Sequence, residues 1–135
     1  MLHRDGRAEL HSAAIEAEFP QSDAGVAGTA RTQTVHVTGY RDMPFPHAIA
    51  RMDWRSGRDA RYDFGDRQLV EEFIFVPRGV AAREGDGWLV GTTLNLAARA
   101  TELHILDADR LSDGPVATWR ASVPLPIGFH GRFIA

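Results

Sequence analysis

One histidine near the end of the chain is placed where its ring could serve as a metal ligand. His130 lies in the tetrapeptide Gly128-Phe129-His130-Gly131. A neutral imidazole nitrogen suits Fe(II), and the flanking glycines let the backbone turn sharply and present the ring. Judged by residue type alone, a single histidine of this kind is more often a polar residue in a terminal turn.

A second candidate is the carboxylate that opens the block EFIFVPR at residues 72–78. Glu72 follows Glu71, and the alternation of side chains along a strand should send the two to opposite faces. One of them therefore faces inward, and the strand register decides which. The alternative is that Glu72 is simply an exposed carboxylate on the strand surface.

The remaining histidines give no second metal ligand in this chain, since no two of the six have the i, i+4 spacing of a helical metal pair. The chain has no cysteine, which excludes disulfides, thiolate zinc sites and cysteine nucleophiles. All 15 basic residues are arginine, so catalytic-lysine and Schiff-base mechanisms are excluded as well.

Length and charge place the chain among small globular proteins. Its 135 residues suffice for one domain at most. A net charge of −3 and a pI near 6.0 give no reason to expect nucleic acid as a partner. The first residues lack an apolar signal core, and no apolar run is long enough to cross a bilayer. A cytoplasmic location is therefore expected.

The elements that must position these residues are predicted to be strands. Short apolar and β-branched runs recur between Gly, Asp and Pro turn signals, which indicates an all-β chain with less than about 15% helix. The predicted strands are 7–14, 34–38, 49–53, 61–64, 72–76, 88–94, 102–107 and 116–123. A single helical turn is predicted at 107–111, and loops at 21–30 and 43–47.

Residues 8–19 are the segment that could instead form a short amphipathic helix. Their apolar positions do not sustain a period of 3.6 residues, so strands are favoured there. The spacing of the turns is typical of a sandwich, a barrel or a propeller, and periodicity does not choose among these architectures.

Several short blocks, taken in order, resemble the C-terminal part of the carotenoid cleavage oxygenases. These non-haem iron dioxygenases include the retinal pigment epithelial membrane protein and lignostilbene dioxygenases. The similar blocks are EFPQ at 18–21, ARMD at 50–53, YDFG at 62–65, EFIFVPR at 72–78, DGWLV at 86–90, ELHILDA at 102–108 and GFHG at 128–131. The family usually has Arg at the position of Gln21 and Pro at the position of Phe73.

The resemblance implies both a fold and a site. Residues 1–135 would be the C-terminal segment of a seven-bladed β-propeller domain and form about two of its four-stranded antiparallel blades. His130 would be one of four histidine ligands of Fe(2+), and Glu72 would accept the N–H of an iron-bound histidine. The parent reaction implied is the O2-dependent cleavage of a conjugated carbon–carbon double bond in a carotenoid, apocarotenoid or stilbene.

One plausible ligand is too few to hold iron firmly, so we expect the isolated chain to bind Fe(2+) weakly and to be inactive. The competing hypothesis is a stand-alone β module without catalysis, or the relic of a truncated gene. Blade faces left uncovered predict self-association. The resemblance also allows contact with a membrane surface, for which the residues themselves give no support.

Overall fold

The computed structural model describes residues 3–29, 32–40 and 44–134. Their strands form two antiparallel four-stranded sheets, in the orders β1-β2-β3-β4 and β5-β6-β7-β8. Each strand pairs with the next along the chain, so both sheets are simple meanders. The strands are β1 Glu18–Gln21, β2 Gln33–Thr38, β3 Ala48–Asp53, β4 Arg58–Asp63, β5 Gln68–Pro77, β6 Gly87–Asn95, β7 Ala100–Asp107 and β8 Pro115–Arg120.

The core lies between the two sheets. Val35 and Val37 of β2 point from the first sheet toward Val70 and Phe73 of the second, and all four side chains are buried. The alternation in β2 places these valines on one face because successive side chains point to opposite faces. A short 3-10 helix at Ala108–Asp113 adds buried Leu111 to this core.

Polar contacts also tie the two sheets together. Glu84, in the connection between β5 and β6, accepts backbone N–H bonds from Thr32 at 2.6 Å and Gln33 at 2.9 Å. Arg51 of β3 donates to Asp109 of the 3-10 helix at 2.9 Å. Besides apolar packing, the two sheets are therefore joined by backbone N–H bonds to the Glu84 carboxylate and by the Arg51–Asp109 ion pair.

Strand β5 carries a β-bulge at its centre. Val70 pairs with Thr93 and Phe73 with Gly91, so the two residues Glu71 and Glu72 lie opposite the single residue between those partners. Val70 and Phe73 are three residues apart and would face opposite ways in a regular strand. The extra residue brings both into the core.

The all-β prediction is confirmed, and most predicted strands lie within a few residues of the observed ones. The predicted strand at 7–14 is wrong: only Ala8 makes an isolated bridge, and this exposed stretch buries no apolar face. No helix forms at 8–19. The predicted last strand ends early, at Arg120, before two prolines that have no N–H for a ladder.

After β8 the chain continues without regular secondary structure over residues 121–134, which we call the terminal segment. It lies against the outer face of the second sheet, where Phe133 borders an apolar recess that is also lined by Val76, Trp88, Val90, Ile105, Val116 and Ala117. In the part of the chain that the structure describes, no helix has the length and hydropathy needed to cross a membrane.

Candidate metal-ligand site

The candidate site forms where β1, β5 and the terminal segment meet. The Glu72 carboxylate of β5 is at its centre. Its Oε2 accepts the backbone N–H of Gly131 at 2.7 Å, and its Oε1 accepts the side-chain amide of Gln21 at 2.5 Å. One carboxylate thus joins both sheets to the terminal segment.

His130 lies beside this carboxylate. Its Nδ1 is 3.5 Å from Glu72 Oε1, at the long limit of a hydrogen bond. The Glu72 side chain is only 7% exposed, whereas that of His130 is 66% exposed. The structure therefore brings together the two residues named from the sequence, with the ring accessible and the carboxylate buried. The contact with the carboxylate uses Nδ1, and Nε2 is the second ring nitrogen.

Two phenylalanine rings also pack against the His130 ring. The Phe19 ring meets the His130 ring edge-on at 5.5 Å between centroids and the Phe129 ring at 5.2 Å. Phe19 has φ of 50°, a left-handed conformation that costs a non-glycine residue about 1–3 kcal/mol. This strained residue lies within the irregular part of β1, where the register shifts between Glu18 and Gln21.

Glu71 also lines this site, which sequence reasoning missed. It and Glu72 border the same recess as the stretch from Gly128 to Arg132, because the bulge in β5 interrupts the alternation of side chains. The Glu71 carboxylate accepts the Thr92 hydroxyl at 2.6 Å. No residue type in this stretch marks a bulge, so alternation alone predicts opposite faces for the two glutamates.

A tyrosine adds a neutral polar group beside β1. Burial, with the nearby Glu18 carboxylate, raises the pKa of Tyr40 to about 12. The phenol therefore stays protonated throughout the neutral range.

The buried histidines lie elsewhere in the fold. His104 Nδ1 and Nε2 lie 2.9 Å and 3.0 Å from the hydroxyls of Thr118 and Thr93. His47 Nδ1 lies 2.9 Å from Asp63 Oδ1. Within the described residues no three histidine, aspartate or glutamate side chains cluster as a metal site would require. The residues at His130 fit one ligand with its carboxylate partner, and they do not form a complete metal site.

Comparison with known proteins decides the family. Residues 2–135 match the protein family described as retinal pigment epithelial membrane protein. The chain belongs to this family. The resemblance seen in the sequence blocks is thereby confirmed, since the match covers nearly every residue.

The curated relatives that the chain resembles are named as oxygenases. The chain is 34% identical to resveratrol cleavage oxygenase 1 of Aspergillus fumigatus over 95 residues, covering 67% of this chain and 18% of the relative. It is 32% identical to apocarotenoid-15,15'-oxygenase of Synechocystis over 98 residues, covering 73% of this chain and 19% of the relative. The chain therefore spans less than a fifth of the length of these relatives.

Solved structures of family members share the fold. The chain superposes on cobalt-substituted Synechocystis apocarotenoid oxygenase with a TM-score of 0.82 and 26% identity, covering 88% of this chain and 25% of that one. For the lignostilbene dioxygenase of Pseudomonas brassicacearum the TM-score is 0.79 at 24% identity, covering 86% and 26%. The two sheets are therefore consecutive blades of the family's β-propeller.

Proposed function

We propose that this chain is part of a non-haem Fe(II) dioxygenase and contributes one imidazole, that of His130, to the metal site. The observation that carries the proposal is the contact between His130 Nδ1 and the buried Glu72 carboxylate. Membership of an oxygenase family supports it. Bound iron would supply the centre at which O2 is activated.

Within this proposal Glu72 fixes the state of the histidine. A carboxylate that accepts the Nδ1 proton selects the tautomer whose Nε2 lone pair is free, and it makes that nitrogen a better donor. The Gly131 N–H and the Gln21 amide keep the carboxylate in place. Phe19 and Phe129 pack against the ring and limit its rotation.

The substrate class is proposed from the relatives. Their names specify resveratrol, lignostilbene and apocarotenoid, which share a conjugated double bond within an apolar frame. The recess beside His130 has an apolar wall formed by Ile74, Val90, Leu103 and Phe129. We therefore propose O2-dependent cleavage of a polyene or stilbene double bond to two carbonyl products, carried out by a protein that contains this chain.

The chain on its own is proposed to be inactive, because a single imidazole does not hold Fe(II) firmly. The remaining ligands would come from further propeller blades. The apolar side chains that stay exposed on the outer face of the second sheet, among them Val116 and Trp119, are proposed to associate with a second copy when no such blade covers them.

Iron loading of a chimera tests the role of His130. This chain would replace the matching quarter of Synechocystis apocarotenoid oxygenase, and iron content would be measured by elemental analysis. His130→Ala is expected to abolish iron loading, and Glu72→Gln to weaken affinity about 10- to 100-fold.

His11→Ala is the matched control, since His11 is an exposed residue in the N-terminal stretch. Far-ultraviolet circular dichroism would verify that each variant folds. Equal iron content in the folded His130→Ala and His11→Ala chimeras would remove the metal-ligand proposal. Stoichiometric, tight iron binding by the isolated 135-residue chain would contradict the expectation that the chain alone is insufficient.

A further inference from the structure

The shortest hydrogen bond to the Glu72 carboxylate comes from a residue of the other sheet. Gln21 Nε2 lies 2.5 Å from Oε1, compared with 2.7 Å for the Gly131 N–H on Oε2 and 3.5 Å for His130 Nδ1 on Oε1. Gln21 and His130 therefore share one oxygen, which has two lone pairs and can accept from both. The position of that oxygen is set by the amide, because the amide makes the closer contact.

The amide also leaves the carboxylate its charge. Both of the close donors, the Gln21 side chain and the Gly131 backbone, are neutral N–H groups. A carboxylate fixed by neutral donors keeps its negative charge available to a nearby imidazole, whereas an arginine at the same place would neutralise it by a charge-assisted pair. The Gln21 and Gly131 N–H groups thus fix the position of the Glu72 carboxylate, while its negative charge is left to interact with the imidazole.

An irregularity in β1 is what brings the amide to this position. Glu18 pairs with Val37 and Gln21 with Val35, so three steps along β1 match two steps along β2. The extra residue is accommodated by the left-handed backbone of Phe19, whose ring packs on His130. The same irregularity therefore places the Phe19 ring against the His130 imidazole and the Gln21 amide against the Glu72 carboxylate.

We infer that Gln21 is a positioning residue for His130 and acts through Glu72. Its amide holds Oε1 where the His130 Nδ1–H can donate to it, and so favours one ring orientation and one tautomer. That this orientation serves metal binding rests on the proposed function. The orientation itself is a property of this chain and can be measured without metal.

Nuclear magnetic resonance on the 15N-labelled 135-residue chain tests the inference. Gln21→Leu keeps the size of the side chain and removes the donor. We expect the Gly131 amide to exchange with solvent about 5- to 10-fold faster, as for the loss of one hydrogen bond. The His130 ring correlations should also shift toward those of a histidine free to exchange tautomers. Gln21→Glu places a second carboxylate against Glu72 and should have the larger effect on both signals.

Gln68→Leu is the matched control. Gln68 also donates its amide to a buried carboxylate, Glu102, at 3.2 Å. Gln68 Oε1 also accepts the Thr93 hydroxyl at 2.9 Å, so Gln68→Leu should lower thermal stability at least as much as Gln21→Leu. Gln68→Leu should nevertheless leave the Gly131 and His130 signals unchanged, which separates positioning from general stability. Unchanged signals in folded Gln21→Leu, or equal changes in Gln68→Leu, would overturn the inference.

The outcome is separable from that of the proposed function. If Gln21→Leu alters the His130 ring while His130→Ala leaves iron loading of the chimera intact, the positioning role stands and the metal role fails. If His130→Ala abolishes iron loading while Gln21→Leu leaves the Gly131 and His130 signals unchanged, the metal role stands and the positioning role is wrong.

Discussion

At the scale of single residues, His104 shows how a buried imidazole is kept neutral. Threonine hydroxyls meet both ring nitrogens, and the Glu102 carboxylate lies 3.8 Å from Nε2. Burial lowers the pKa of His104 from its usual 6.5, and the negative charge of Glu102 opposes this only in part. Burial also lowers the pKa of His36. Both histidines are therefore harder to protonate in the folded chain than in the unfolded one.

The expected consequence is acid destabilisation that begins near pH 6.5. A lowered histidine pKa means that the unfolded chain binds more protons below 6.5, so stability is complete above that pH and falls as the pH drops toward the folded-state pKa. The slope is at most about 1.4 kcal/mol per pH unit for each histidine. Urea unfolding at a series of pH values from 7.5 to 5.5 measures it.

His104→Gln should reduce this slope, because it removes one of the two histidines whose pKa is lowered by burial. His11→Gln alters an exposed ring and serves as the control. A free energy of unfolding that stays constant between pH 7.5 and 5.5 would contradict the assignment. The carboxylates whose pKa is lowered, such as that of Glu102, lose their contribution only at lower pH, outside this window.

The candidate site could be named from the sequence only in part. His130 and Glu72 were identified because each lies in a block that resembles the family pattern, and the structure places them in contact. In the sequence Gln21 differs from the family pattern only by replacing an arginine, and alternation predicts Glu71 on the face opposite to Glu72. Their roles depend on the irregular register of β1 and the bulge in β5, which pairing between strands decides and local residue types do not.

At the scale of elements, the bulge in β5 requires a glycine on the neighbouring strand. A Cβ on Gly91 would lie 2.5 Å from the Phe73 ring and 2.7 Å from the Glu72 carbonyl oxygen. At the bulge β5 lies close to β6. A side chain at position 91 would therefore displace either the Phe73 ring or the backbone of Glu72.

Gly91→Ala is therefore expected to lower the free energy of unfolding by about 1–3 kcal/mol, the usual cost of overpacking. Denaturant unfolding of the variant measures this change. Gly79→Ala is the control, since nothing lies within 4 Å of a Cβ built there. Its effect should stay within about 0.5 kcal/mol. Equal stability of the two variants would show that β6 shifts freely past the bulge.

The elements themselves were largely predictable. Short apolar and β-branched runs between turn signals predict β2, β3, β6 and β7 to within two residues at each end. Strand β5 was predicted four residues too short at its beginning, since its apolar residues near the bulge do not alternate. The stretch at 7–14 has strand-like composition but buries no face, which composition alone does not reveal.

At the scale of the whole molecule, the two sheets cover only one face of each other. The outer face of the second sheet is apolar and contains a shallow recess. Phe133 of the terminal segment borders this recess. Val116 and Trp119 of β8 are more than half exposed beside it. Large apolar patches of this kind on a small protein mark surfaces that bind another surface.

We therefore expect the isolated chain to self-associate through the outer face of the second sheet. Analytical ultracentrifugation should show an average mass that rises with protein concentration. Val116→Glu places a charge at the edge of the apolar recess and should shift the association to at least about tenfold higher concentration, since burying an unpaired charge costs well over 1.4 kcal/mol. Val80→Glu alters a fully exposed valine outside that recess and should leave the association unchanged. A wild-type chain that remains monomeric at millimolar concentration would show that the terminal segment covers this face well enough by itself.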